Sequence, residues 1–245
     1  MLDVGQGDSI LLVYPHNKLV VLVDTGGRYN SDTIVANITI PTLYSLGITK
    51  IDYLVLTHGD YDHIGEARNL LESFRVDMVL MNSGNLSTLE EELIEYMNDN
   101  NQHYDLVSQT VIEHNGLKLN FLNTVDARSE NDDSLVLFLE MQNRSILMMG
   151  DSGKKTEEYL MREYNLEKVD ILKVGHHGSK TSSGEYFISK INPEIALISA
   201  ARNNIYRHPH PETLNNLLFC DTYITSIDGA IKIVIGKSML VTTVR

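Results

Sequence analysis

Cysteine occurs once, tryptophan never and proline only five times in 245 residues. The single cysteine, Cys220, excludes an internal disulfide and suits a reducing compartment. No partner motif surrounds it, so it reads as a packing residue near a strand start. No Pro/Gly/Ser-rich tract, low-complexity stretch or fixed-period repeat divides the chain, and residues 1–245 read as one unit long enough to bury a sizeable core. No apolar run reaches the length of a membrane span. The N-terminus has no basic region followed by an apolar stretch, so no signal peptide is expected. Positive charge is scarce: 20 Lys and Arg face 33 Asp and Glu, a net charge of −13. Tight non-specific binding to nucleic acid rests on many cationic contacts to phosphates, and no basic stripe is present. That argues against tight DNA binding by this chain alone; it leaves open the cleavage of a strand delivered by another domain.

Histidine and aspartate at one place are abundant. Thr57-His58-Gly59-Asp60-Tyr61-Asp62-His63 follows the apolar run Ile51–Leu56. His58, Asp60, Asp62 and His63 fall within six residues at the end of an expected strand, where a short loop can turn them toward one point. Imidazole with carboxylate suits a borderline or hard divalent cation, Zn²⁺ or Mn²⁺. A polar loop using Asp and His for turn chemistry is the plainer alternative, but four metal-competent side chains at this density favour metal.

His58-x-Asp60-x-Asp62-His63 resembles the metallo-β-lactamase superfamily signature His-x-His-x-Asp-His, with Asp60 in place of the second His. Leu2-Asp3-Val4-Gly5-Gln6-Gly7-Asp8-Ser9, Val23-Asp24-Thr25-Gly26-Gly27, Met149-Gly150-Asp151, Leu172–Ser179 with its His176-His177 pair, and His208-Pro209 follow in order. Together they resemble the hydrolase domain of ComEC/Rec2-type competence proteins over nearly the whole chain. The resemblance implies an α/β fold, a four-layer αββα sandwich, holding two divalent cations. It also implies a phosphodiester substrate, single-stranded DNA during uptake, and a membrane-embedded partner domain. The family usually has several residues before the Leu2–Ser9 motif, which fits an excised unit. The chain would be cytoplasmic if stand-alone and at the extracytoplasmic face of the membrane if part of a competence channel.

Local patterns supply the elements such a sandwich needs. Residues 10–13 and 19–23 read as a hairpin. Residues 33–46 have helical spacing with Ser31 or Asp32 as N-cap and Pro41 as a kink. A strand over 51–56, a helix over 64–74 and a strand over 76–81 follow. Residues 87–99 form a helix opened by the capping box Ser87/Glu90. Strands are expected at 106–113 and 117–123. A hairpin over 135–149 turns at Gln142-Asn143-Arg144. Further strands are expected at 169–174, 195–199, 223–225, 231–235 and 239–244, with helices over 152–164, 184–191 and 211–218.

The site residues follow. By resemblance Asp151 bridges the two cations; alone, Gly-Asp-Ser before a helix would read as a cap. Asp24 would orient ligands or merely cap a turn. Gly5-x-Gly7-Asp8-Ser9 leads into another strand and not a helix, so it reads as a structural turn and not a phosphate loop. Adjacent side chains on an extended backbone point to opposite faces. Only one of the pair can therefore easily ligate the same ion; His176 is taken as that ligand, completing His58, Asp60, Asp62, His63 and Asp151, and His177 stands behind it or on substrate and is assigned to catalysis. His208 would face the site as proton donor or phosphate contact, with Arg207 where the family has Gly and Tyr206 a weaker candidate. Pro211 suits helix position N1, which would make the neighbouring histidines loop filler. His16, His103 and His114 read as surface residues. The superfamily's third His has no counterpart in residues 130–134, Glu130-Asn131-Asp132-Asp133-Ser134, so one subsite is richer in oxygen and leans toward Mn²⁺. The expected reaction is metal-assisted hydrolysis. Asp62 would orient or deprotonate the attacking water, and His177 or His208 would stabilise or protonate the leaving oxygen. A small ester, lactone or phosphocholine-type substrate, or a catalytically idle metal-binding module, are the alternatives.

Overall fold

The computed structural model describes residues 1–29, 33–114, 117–122, 131–141, 144–164 and 166–244. The first sheet comprises β1 (Ile10–Val13), β2 (Val20–Val23), β3 (Ile51–Leu56), β4 (Val76–Asn82) and β5 (Tyr104–Val107), in that spatial order. β1 and β2 are antiparallel, and β2 to β5 run parallel. The second sheet contains β6 (Val111–His114), β7 (Leu117–Leu122), β8 (Val136–Met141), β9 (Arg144–Met148), β10 (Ile171–Lys173), β11 (Ile195–Ile198) and β12 (Asp221–Ile224). It is antiparallel from β6 to β9 and parallel from β9 to β12. β13 (Ala230–Ile235) and β14 (Met239–Val244) form a separate hairpin.

Period-2 alternation sends one face of each sheet into a shared core. Val21, Val23, Val55 and Leu80 of the first sheet meet Leu119, Phe121, Leu137 and Leu139 of the second. The other face of the first sheet packs Leu22, Leu54 and Val79 against Leu43, Leu70, Leu93 and Met97. These come from helices α1 (Ile40–Ser45), α3 (Ala67–Ser73) and α4 (Thr88–Asp99), while α2 (Tyr61–Ile64) sits in the turn after β3. The second sheet's outer face is covered by α5 (Lys154–Glu163), α6 (Glu185–Ile191) and α7 (Pro211–Asn216), with α8 (Thr225–Asp228) following β12. Helix, sheet, sheet and helix thus form the four-layer αββα sandwich.

Several boundaries moved for physical reasons. Pro41 has no N–H to donate, and the turn before it widens: Val35–Thr39 is π-helical, with Ile40 N–H bonding Val35 C=O. The helix expected over 64–74 breaks at Gly65, because Glu66 N–H bonds Gly26 C=O rather than continuing the ladder. The buried Glu66 carboxylate instead accepts the N–H groups of Ile34 (2.7 Å) and Val35 (2.6 Å), satisfying the start of the preceding helical segment. The expected caps Ser31 and Asp32 lie outside the described residues, as do Glu130 and the turn residues Gln142 and Asn143. The strand expected at 106–113 is two strands, β5 and β6, one in each sheet: the chain crosses between layers there. The Ser87/Glu90 capping box is formed, with Glu90 N–H donating to Ser87 Oγ at 3.2 Å. Among the described residues no helix is long and apolar enough to cross a membrane.

Glu157 on α5 is buried and accepts N–H groups from Ser183 and Gly184, tying α5 to the loop before α6. Burial pushes its carboxyl up to about 7 despite those bonds. The folded state then holds more protons than the unfolded chain between about pH 4.5 and pH 7, so stability falls as pH rises through that window. Glu157→Gln should therefore remove part of the pH dependence. The melting temperature of wild type relative to the variant should drop from pH 5 to pH 8, measurable by scanning fluorimetry; parallel profiles would count against the assignment.

Candidate metal centre

The candidate side chains collect at the carboxyl ends of parallel strands, where loops of open α/β sheets gather ligands. β2 ends before Asp24, β3 before His58, β9 before Asp151, β10 before His176-His177 and β11 before Ser199. Asp60 and Asp62 enter from the turn that opens α2. Asp151 does not cap a helix, since α5 starts after Gly153.

Each of three buried imidazoles commits one ring nitrogen to the protein. His63 Nδ1 lies 2.8 Å from Asp24 Oδ2. Asp24 also accepts Thr57 N–H and Thr57 Oγ1–H, both at 2.8 Å, so this buried carboxylate orients His63 rather than capping a turn. Having given its hydrogen to Asp24, Thr57 Oγ1 accepts from His58 Nδ1 at 3.0 Å. His177 Nδ1 donates to Ser199 C=O at 3.0 Å. These bonds leave the Nε2 lone pairs of His58, His63 and His177 pointing inward, and all three Nε2 atoms are buried without a hydrogen-bond partner. That arrangement is how metal-ligating imidazoles are held.

They face carboxylates. His63 Nε2 is 3.2 Å from Asp151 Oδ1, though not aligned as a hydrogen bond, and His177 Nε2 is 3.3 Å from Asp62 Oδ2 and 3.5 Å from Asp151 Oδ2. His58 Nε2 is 3.4 Å from Asp60 Oδ2. Among the described residues three groups have their ligand atoms within 4.8 Å of one another: His58, His63 and Asp151; Asp62, His63 and His177; and, on the far side of the His63 ring, Asp8, Asp24 and His63. Burial alone would lower His63 and His177, but Asp151 and its neighbours hold both above the ordinary imidazole value. Burial would raise Asp151 and Asp62, yet the imidazoles keep Asp151 well below the carboxylate range and Asp62 at about 2. A field that draws protons onto imidazoles also draws cations, and a bound cation would displace those protons.

The premise of an extended backbone at His176-His177 does not hold. Both residues adopt left-handed conformations, φ 46° and 53°, inside a tight turn over Gly175–Gly178. The turn sends the buried His177 between Asp62 and Asp151, while His176 is partly exposed, 3.8 Å from Asp151 Oδ2 and 3.4 Å from Asn131 Nδ2. His208 stands beside them, its ring centroid 5.6 Å from that of His176. Burial, then the imidazoles of His176 and His177, push it down to about 4. Asn204 fixes its backbone from both sides, accepting His208 N–H at 2.8 Å and donating to His208 C=O at 2.7 Å. His210 caps α7 with Pro211 in the first turn. His16 and His103 are exposed, His114 lies half-buried against Tyr53, and Cys220 is half-buried before β12.

The Leu2–Ser9 motif supports the site from behind. Gly7 (φ +113°) lies so close to the α2 turn that a Cβ there would sit 2.0 Å from Asp62 C=O, and Asp8 N–H donates to that same oxygen at 3.2 Å. Asp8 is buried and pairs with buried Lys173 at 2.5 Å; its other oxygen is 3.7 Å from His177 Nδ1. Sequence reasoning missed Thr57, Lys173, Ser199 and Asn204. Only Thr57 carried a local signal, a hydroxyl immediately before the first His.

The family model described as the Metallo-beta-lactamase superfamily matches residues 2–202. Over 232 residues the chain is 38% identical to ComE operon protein 3 of Bacillus subtilis, covering 89% of this chain and 30% of that protein. It is 30% identical over 238 residues to Recombination protein 2 of Haemophilus influenzae, covering 95% of this chain and 28% of that protein. The chain thus spans under a third of the length of either relative. A metallo hydrolase from Ignicoccus hospitalis shares the fold at a TM-score of 0.60 with 10% identity, covering 98% of this chain and 97% of that one.

Proposed function

This chain belongs to the metallo-β-lactamase superfamily, and from that premise we propose that it is a binuclear, metal-dependent phosphodiesterase acting on single-stranded DNA in a competence-type context. The observation that carries the reading is the gathering of three orphaned, buried Nε2 atoms around Asp151: those of His63 and His177 face its two oxygens, and His58 shares a group with it whose ligand atoms lie within 4.8 Å. We assign His58, Asp60, Asp62, His63, Asp151 and, of the adjacent pair, His177 as the residues that would hold two divalent cations, with His176 on the open side. Such cations supply Lewis-acid polarisation of a phosphoryl oxygen and a water acidic enough to attack at neutral pH.

The chain's own groups do the rest. Asp62, held ionised, orients the attacking water and accepts its proton at Oδ2. His208 is neutral near pH 7 and donates one N–H to a non-bridging or leaving oxygen. Asp24, Thr57 and Ser199 fix which imidazole nitrogen faces inward. Kinship with the two longer proteins supports the DNA substrate and a membrane-embedded partner domain outside this chain. The net charge of −13 favours the second reading, a small ester or phosphocholine-type substrate. Turnover of an oligonucleotide and bis-p-nitrophenyl phosphate, against p-nitrophenyl acetate and p-nitrophenyl phosphocholine, separates the two; no turnover of any would leave a catalytically idle module.

Asp60 replaces a histidine of the superfamily signature, and residues 130–134 contain no histidine. Oxygen-rich sites suit harder ions. Metal-stripped protein should therefore regain more activity with Mn²⁺ than with Zn²⁺ at equal occupancy, and the reverse order would contradict this ligand assignment.

A further inference from the structure

A groove of about 750 Å³ opens beside the carboxylate–imidazole cluster, and Asp60 and Asp62 form part of its wall. Two ring ledges line it. Tyr29 stacks on Tyr61 with centroids 4.5 Å apart and planes at 15°, and is 80% exposed. Tyr206 stacks on His208 at 5.7 Å and 25°, and is 62% exposed. In each ledge an inner ring belongs to the site's own loops, and an outer tyrosine offers its far face to solvent.

Two guanidinium groups share the groove. Arg28 donates to Val4 C=O at 3.1 Å, and Arg202 Nε donates to Ser226 C=O at 2.9 Å. Each such bond anchors the side chain while a guanidinium keeps further N–H donors. Gly5 makes room for Arg28: a Cβ there would lie 2.6 Å from Arg28 Nη2. Asp3, Asp60 and Asp62 line the same groove; the last two belong to the candidate cation set, which leaves the two anchored arginines as the groove's own groups for holding an anion.

We propose that this groove is a nucleotide subsite, in which Tyr29 and Tyr206 stack unpaired bases and Arg28 and Arg202 hold the adjoining phosphates. The proposal rests on the phosphodiesterase reading and adds the residues that would select the strand. Ring faces stack any base but only one already freed from its partner, so the groove discriminates single strand from duplex. It also reconciles a polyanionic ligand with an acidic chain, because stacking supplies affinity that a basic stripe would otherwise provide.

The test is binding of a fluorescein-labelled, hydrolysis-resistant phosphorothioate oligothymidylate to the Mn²⁺-loaded chain, read by anisotropy. Tyr29→Ala and Tyr206→Ala should each weaken binding about tenfold, the scale of one base–aromatic stack. Tyr29→Phe and Tyr206→Phe should bind within about twofold of wild type, since the ring and not the hydroxyl stacks. Duplex of matching length should compete at least about tenfold more weakly. Both tyrosines are exposed, so truncation should leave the melting temperature unchanged. Alanine variants that bind like wild type, or duplex that competes equally, would overturn the proposal. Turnover of methyl p-nitrophenyl phosphate, which carries no base, separates the two levels. If wild type hydrolyses it but the alanine variants bind oligonucleotide normally, the groove fails and the phosphodiesterase reading stands. If wild type neither hydrolyses it nor binds oligonucleotide, both fall.

Discussion

Asp62→Ala is expected to lose at least about 10²-fold in hydrolytic rate while keeping its fold, the loss typical of removing a general base. The carboxylate sits in the first turn of α2, 3.3 Å from His177 Nε2, and its burial is offset by His177 and His63, which hold it ionised at about 2. Its structural contact is made by the main chain: Asp62 C=O accepts Asp8 N–H, and that bond survives truncation of the side chain. Removing one of several crowded carboxylates costs the fold little. A turn residue would behave oppositely, with a modest loss of stability and near-normal rates. Far-ultraviolet circular dichroism and melting should match wild type measured without metal, and some metal-induced stabilisation should disappear. Retention of most activity would show that the β3–α2 loop has been misread.

Lys173→Met should be the most damaging single change to stability. Lys173 and Asp8 are both buried and 2.5 Å apart, and Asp8 Oδ1 has no hydrogen-bond partner of its own. Removing one partner strands a buried charge, which costs roughly 3–5 kcal/mol. For a chain of this size that is a fall of about 10 °C in melting temperature. The double variant Asp8→Asn, Lys173→Met should recover much of the loss, because it removes the stranded charge. The single variant should also weaken cation binding, since Asp8 adjoins both His177 and the α2 turn. A melting temperature within 2 °C of wild type, on that same scale, would mean that water reaches Asp8 and that the pair supports nothing.

Legibility in the sequence followed the range of the interaction. Period-2 strands and the Ser87/Glu90 cap are local patterns, and each produced the element expected of it; the dense His58–His63 loop brings His58, Asp62 and His63 into candidate ligand groups, with Asp60 outside them. The crossing of the chain between sheets at β5 and β6 carried no signal, because both strands look alike in composition and only packing separates them. Glu66 as the cap of a helical segment 32 residues earlier, and Lys173 as the counter-ion of Asp8, are pairings across the fold that no window of sequence contains. At His176-His177 alternation was the wrong geometry: two left-handed residues turn the chain, and His177 becomes the buried one. Asp24 was legible only as a choice between roles, and its 2.8 Å contact with His63 decides it.

The central claim, that the three inward Nε2 atoms and the carboxylates around Asp151 form a hydrolytic cation site, is tested most directly by stripping and restoring metal. Protein treated with chelator and dialysed should hydrolyse bis-p-nitrophenyl phosphate at the background rate. Adding two equivalents of Mn²⁺ per chain should restore turnover in wild type and leave Asp62→Ala silent. Turnover that persists through metal removal, or that no divalent cation restores, would contradict the account.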